Sequence, residues 1–263
     1  MKVTDSEYQE HVIFSELSGY AKFYERLSFS VFSWITLGTH PIINIDTYIF
    51  SSLRGTLESI QLLLANGRIN DAWTLMRKYH DSIIINIYSG LYLKNNFRIE
   101  NMIVEQIDGW LKGTSKLPEF RVMMQYIRSM PELCELKKLL FEHDSRYKDL
   151  RDRGNNNIHY NFYANILLND NEIFLKNRIK ILNRFLLDMR DLFTLHFSYI
   201  FSIHENYMIS SDYVDHLDCG TNPPENSQYW VAPFVKEVFD KTITKHRPDV
   251  AAFMRKTTSM MLE

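Results

Sequence analysis

Glycine and proline are scarce in this chain of 263 residues, at nine and seven. An all-β sandwich or barrel needs turn residues every ~8–12 positions, and this sequence does not supply them. Cysteine is nearly absent. Cys134 and Cys219 cannot build a disulfide framework, which fits a reducing compartment. Neither sign of charge dominates: 30 basic against 32 acidic residues leave a net charge of −2. That excludes a globally basic nucleic-acid coat but leaves room for a local basic site. No stretch reaches the ~20 continuous apolar residues of a spanning helix. The most apolar one, residues 27–50, is interrupted by Gly38-Thr39-His40-Pro41 and carries Asp46. No apolar segment follows residues 1–7, so a secretory signal and a membrane partner are not expected and the cytoplasm is. Gly-rich phosphate loops and a Gly-x-Ser-x-Gly elbow are missing too, which argues against nucleotide-driven and triad chemistries.

Long apolar-periodic runs are abundant, and they predict an all-α protein, an antiparallel helical bundle. Residues 7–36 read as one or two helices, with a break at 38–41. A helix over about 46–65, capped by Asn44 or Asp46, stops at Asn66-Gly67. Asn70 or Asp71 caps the next, which runs to about Leu93. So short a link makes the two pack antiparallel. Shorter helices are expected over 99–111, 117–128 and 131–150, and the longest over 172–207, with Leu182, Phe185, Met189, Phe193 and Phe197 on its buried stripe. The bundle therefore occupies residues 1–209. Residues 210–263, opened by the punctuation of Asn222-Pro223-Pro224, read as a short helical C-terminal extension packed on it, with helices near 231–242 and 248–260.

One stretch is odd for a bundle: Arg151-Asp152-Arg153-Gly154-Asn155-Asn156-Asn157-Ile158-His159-Tyr160-Asn161. Asparagines are poor helix formers and good local hydrogen bonders, which predicts a polar loop. An arginine beside a histidine suits phosphodiester chemistry. The guanidinium stabilises charge developing on phosphate oxygens, and the imidazole moves protons near neutral pH. The plainer reading is a capping loop whose Arg and His are surface residues. Six basic residues against four acidic ones over 137–153, and a second basic run of Lys176, Arg178, Lys180 and Arg184, are compatible with RNA or with solvated helix faces. Tyr160, Phe162 and Tyr163 follow the motif and are candidates for base stacking or for core.

Arg153 and His159, with five residues between them inside a helical frame, resemble the Arg-x(4–6)-His motif of the HEPN superfamily. The start of the helix at 67–77 resembles the second helix of abortive-infection-type HEPN proteins. The resemblance covers about residues 44–208. It implies a metal-independent endoribonuclease that needs no cofactor. In it the RNA 2′-hydroxyl attacks its own phosphate and leaves 2′,3′-cyclic phosphate and 5′-hydroxyl ends. It further implies a composite site in a homodimer, a toxin or phage-defence role, and a neutralising antitoxin or activating partner. Carried over residue by residue, Arg153 and His159 are catalytic, with Arg151, Asn155, Asn157 and Tyr160 in support. Gly154 departs from the polar residue usual after the arginine, and Arg151-Asp152 has that pair at a longer spacing. A non-catalytic dimerisation or partner-binding module is the alternative. A third reading, an HD-type metal phosphohydrolase, would use His80 with His143-Asp144. His196, His204, Asp212, Asp215, His216 and Cys219 are further metal-ligand types without tight zinc spacing.

Overall fold

Apolar residues at helical spacing form helices throughout the described residues of the structure, and no β-strand forms among them. That structure is a computed structural model and describes residues 1–32, 44–98, 104–142, 145–222, 230–258 and 262. The helices are α1 (Ser6–Gln9), α2 (Ile13–Ser30), α3 (Ile45–Ala65), α4 (Ile69–Asn96), α5 (Glu105–Leu111), α6 (Phe120–Ser129), α7 (Cys134–Phe141) and α8 (Arg146–Ile158). They continue with α9 (Tyr163–Leu167), α10 (Arg178–Ile203), α11 (Ser211–Asp218), α12 (Pro233–Val238), α13 (Thr244–His246) and α14 (Pro248–Thr257). The break expected at 38–41 lies outside the described residues. No helix among the described residues is long and apolar enough to cross a membrane.

The hairpin of α3 and α4 forms where Asn66-Gly67 predicts it. Gly67 takes φ +72°, its N–H bonds Leu64 O at 2.9 Å, and Arg68 N–H bonds Leu63 O at 2.8 Å. This is the Schellman closure, and only glycine adopts it without strain. A Cβ there would also lie 2.4 Å from Val3 Cγ2.

The cap expected from Asn70 or Asp71 is replaced by one from a distance. Asp71 N–H donates to Asn169 Oδ1 at 3.2 Å, while the Asn70 side chain is drawn away to α8. The longest helix is α4 with 28 residues, ahead of α10 with 26. The late helix opens at Arg178 rather than 172, because Asp170 Oδ1 accepts from the N–H groups of Glu172 and Ile173 and holds a turn there. The expected helix over 131–150 divides into a 3₁₀ turn at Pro131–Leu133, then α7 and α8. Leu136 and Leu140 on one side, and Tyr147 and Leu150 on the other, all reach the core.

Leu57, Ile83, Leu186, Phe193 and Phe197 share one core with Val235, Phe239 and Met254 of the C-terminal helices. Through it runs a continuous polar chain. Tyr79 and Tyr24 hydroxyls meet at 2.8 Å, and the Tyr24 hydroxyl meets His196 Nδ1 at 2.7 Å. His196 Nε2 meets Asn86 Oδ1 at 2.8 Å. Asn86 Nδ2 and the Tyr207 hydroxyl both donate to Asp46, at 2.7 and 2.8 Å. Because the Asn86 amide donates to Asp46, its oxygen accepts, so Nε2 of His196 carries the proton and Nδ1 accepts from Tyr24. Five elements are thereby fixed to one another by directional bonds that leave His196 satisfied.

Candidate functional site

The run expected to be a loop is helical: α8 carries Arg151 to Ile158 and caps at His159. Asn156 and Asn157 are tolerated in it because they bond across to other segments. Asn165 Nδ2 donates to Asn156 O, and Asn161 Nδ2 to Asn156 Oδ1, both at 2.8 Å. Helical spacing then sorts the motif into two rows. Arg153 and Asn157 lie four apart on one face, while Arg151, Asn155 and His159 step by four along another.

The first row holds the bundle together. Arg153 clasps Asp188 of α10 with both arms of its guanidinium, and Arg184 stands 3.4 Å from the same carboxylate. Burial pushes the Asp188 carboxyl above its ordinary range, and the two arginines pull it back only in part. Asn157 receives Asn70 Nδ2 at its backbone oxygen and at Oδ1, at 3.1 and 3.0 Å. Both motif residues in this row are thus engaged inside the protein. Nε and Nη2 of Arg153 are committed to Asp188, so a phosphate at Arg153 would have to share its guanidinium with that carboxylate.

The second row is free at its outer end. Among the described residues neither Asn155 nor His159 makes a side-chain hydrogen bond or ion pair. His159 is exposed, at the helix end. The chain leaves through Tyr160, whose φ of +48° is left-handed backbone in a position that favours glycine. Asn161 N–H closes the turn on Asn156 O at 3.0 Å. Strain of this kind concentrates at functional sites. The segment that follows α8 carries exposed rings and an exposed aliphatic: Phe162 at 60%, Tyr163 at 74%, Phe174 at 63% and Ile166 at 48%. Tyr160, Phe162 and Tyr163, candidates for base stacking or for core, are all exposed.

The inner end of that row meets α4 and α6. Arg151 stacks its guanidinium 3.7 Å from the Phe120 ring centroid and lies 4.0 Å from Asp81. Arg77, buried, pairs with the same Asp81, as their i,i+4 spacing predicts. Arg77 Nε and His80 Nδ1 have no hydrogen-bond partner among the described residues. Burial first, then the Arg77 and Arg151 charges, drive the His80 pKa down to about 3. Burial and the neighbouring Arg77 also lower that of Arg151. Two guanidinium groups therefore share the Asp81 carboxylate, and Asp152 also acts on Arg151. Gly154 makes the crowding feasible: a Cβ on it would lie 3.2 Å from Arg77 Cβ. The departure from the motif at Gly154 is thus the close approach of α8 to α4. The sequence offers His80-Asp81 as a metal pair or as an i,i+4 Arg77–Asp81 pairing, and the second is what forms; it gives no sign of Phe120. The single glycine in α8 was the signal of the approach to α4.

The remaining candidates are scattered. His143, Asp144 and the Asp212 side chain lie outside the described residues. His80 faces the Phe120 ring at 5.4 Å, His196 is in the core chain, and His216 Nδ1 meets Thr221 Oγ1 at 2.9 Å. No three metal-ligating side chains come together among the described residues. Arg178 drops out of the second basic run because it is fully buried, its Nη2 donating to the carbonyls of Asp170 and Ile173. Comparison with family models, with curated protein sequences and with solved structures finds no match to this chain.

Proposed function

We propose that this protein is a HEPN-like, metal-independent endoribonuclease, acting as a homodimer in a toxin or phage-defence setting. The observation that carries the reading is the row Arg151–Asn155–His159, which sets a cation, an amide and an imidazole along one face of α8. Eight residues of helix separate its ends by about 12 Å along the axis. Arg151 would neutralise the phosphate, with Arg77 behind it. His159 would take the proton of the 2′-hydroxyl as that oxygen bonds to phosphorus, or return one to the departing 5′-oxygen. The phosphorus–5′-oxygen bond breaks, leaving a cyclic phosphate and a 5′-hydroxyl. The exposed aromatics of the segment after α8 supply either the second copy's docking face or base-stacking surface. In this reading Arg151 takes the part that the motif resemblance gives to Arg153, and Arg153 positions α8.

One observation favours a non-catalytic module instead: the arginine at the motif spacing is sequestered by Asp188. The two readings part on RNA cleavage by variants. Arg151→Ala and His159→Ala should each cut the rate by at least about 100-fold, the contribution of a general acid–base group or an electrostatic donor, with the fold intact by circular dichroism. Cleavage at the wild-type rate in both would refute the row as the site. A folded wild type that cleaves nothing supports the module.

A further inference from the structure

The C-terminal helices roof a cleft of about 680 Å³ against α2 and α10, inside the ~300–1,000 Å³ range of small-molecule sites. Its lining holds five basic side chains, Lys22, Arg26, Arg190, Lys241 and Lys245, against the carboxylates of Glu16 and Glu237. Both carboxylates are already paired, Glu16 with Arg190 and Glu237 with Lys241. Lys22 and Lys245 make no hydrogen bond or ion pair among the described residues. The cleft therefore has a surplus of three positive charges, two of them on side chains with nothing to neutralise them.

Two backbone features shape the same cleft, Gly19 on one side and a π turn on the other, whose Phe239 and Ile243 point into the core. Gly19 sits within α2, where glycine weakens a helix. A Cβ on it would meet nothing within 4 Å, so no neighbour requires the glycine; what its absence of side chain leaves is room on the cleft floor. Opposite it, the helical run from Pro233 to His246 contains a π turn at Phe239–Ile243, which puts Lys241 and Thr242 on the wall. Single π turns inside helices recur at functional sites. Phe234, half-buried and 5.9 Å from the Phe23 ring, gives the wall an apolar side.

We propose that this cleft binds a small organic phosphate of nucleotide size, with its phosphate on Lys22, Arg26 and Lys245 and its ring against Phe234. This site is separate from the α8 row and does not rest on the ribonuclease reading. One residue joins them: Asp191 Oδ1 accepts from Arg146 of α8 and meets His246 Nε2 of the cleft wall, both at 2.8 Å. A ligand that moved His246 would be felt at the start of α8.

The test is calorimetric titration of the full chain with AMP, ADP, inorganic phosphate and adenosine, and with an RNA hexamer. The variants are Gly19→Leu, which fills the floor, and Lys22→Glu/Lys245→Glu, which reverses the rim. Gly19→Leu puts a better helix former at an open position, so its melting temperature reports that the fold survives. Expected is binding of AMP or ADP at least tenfold tighter than of phosphate or adenosine, weakened at least tenfold in both variants, with a melting temperature no lower than that of the wild type. Failure of both nucleotides to bind at millimolar concentration overturns the proposal, as does binding that ignores the two variants. Phosphate held as tightly as AMP overturns the assignment of the ring. A hexamer bound where the nucleotides are not assigns the cleft to RNA instead.

Discussion

Arg153 and Asp188 form a two-point ion pair: Nε donates to Oδ2 at 2.8 Å and Nη2 to Oδ1 at 2.5 Å, with the carboxylate only 1% exposed. The residue that the motif marks for chemistry is therefore fixed as a strut between α8 and α10. Removing one partner of a buried pair leaves an uncompensated charge, at a cost of ~3–5 kcal/mol. Arg153→Ala should lose roughly 3 kcal/mol, near the low end of that range, because Arg184 remains beside the carboxylate. Asp188→Asn in the same chain should recover much of the loss. Urea denaturation checks both, and an Arg153→Ala variant as stable as wild type contradicts the strut.

Acid should weaken the fold from about pH 6.5 downward. Burial holds His80 and His196 neutral, with pKa values of about 3 in the folded chain, against about 6.5 when unfolded. The unfolded chain therefore binds more protons between those limits, and stability falls as pH falls through that window. Each site contributes a slope of up to about 1.4 kcal/mol per pH unit. His80→Phe keeps a ring against Phe120 and should remove about half the slope that the two histidines supply. Urea midpoints across pH 4.5–7.5 give the answer, and an unchanged slope would mean that His80 does not titrate as described.

Relief of backbone strain should stabilise the turn after α8. Tyr160 at φ +48° occupies a position that costs a residue with a Cβ roughly 1–2 kcal/mol. Tyr160→Gly should raise stability by up to about 1 kcal/mol after glycine's own entropy is set against it. If tyrosine is there for stacking or docking, the more stable variant will be the less active one. A thermal melt beside an activity assay separates the two effects; equal or lower stability in Tyr160→Gly argues against strain.

Exposed rings in the segment after α8 predict self-association. Tyr163→Ser/Phe174→Ser removes two rings that are mostly in solvent, so its stability should stay within about 0.5 kcal/mol of wild type. Sedimentation should show a wild-type dimer at micromolar concentration and a monomeric double variant. A wild type that sediments as a monomer removes the composite site from the account.

The helical architecture was legible because breakers are rare and the one strong pair, Asn66-Gly67, sits where α3 must turn into α4. The faces of α8 were not legible. Propensity marks three asparagines as a loop, but Asn156 and Asn157 are held by Asn161, Asn165 and Asn70, partners up to 87 residues away. Arg153's partner lies 35 residues off on a helix whose apolar stripe gives no sign of a buried aspartate. Spacing between an arginine and a histidine fixes their distance along a helix; it does not say which turn faces inward. His196 shows the same limit, since its neighbours Tyr24 and Asn86 come from two other helices.

The most direct test of the account is end-group analysis of RNA incubated with the purified protein in EDTA, beside His159→Ala. The account predicts cleavage by the wild type alone, with 2′,3′-cyclic phosphate and 5′-hydroxyl ends. Cleavage that requires added metal, or that persists in His159→Ala, would contradict it.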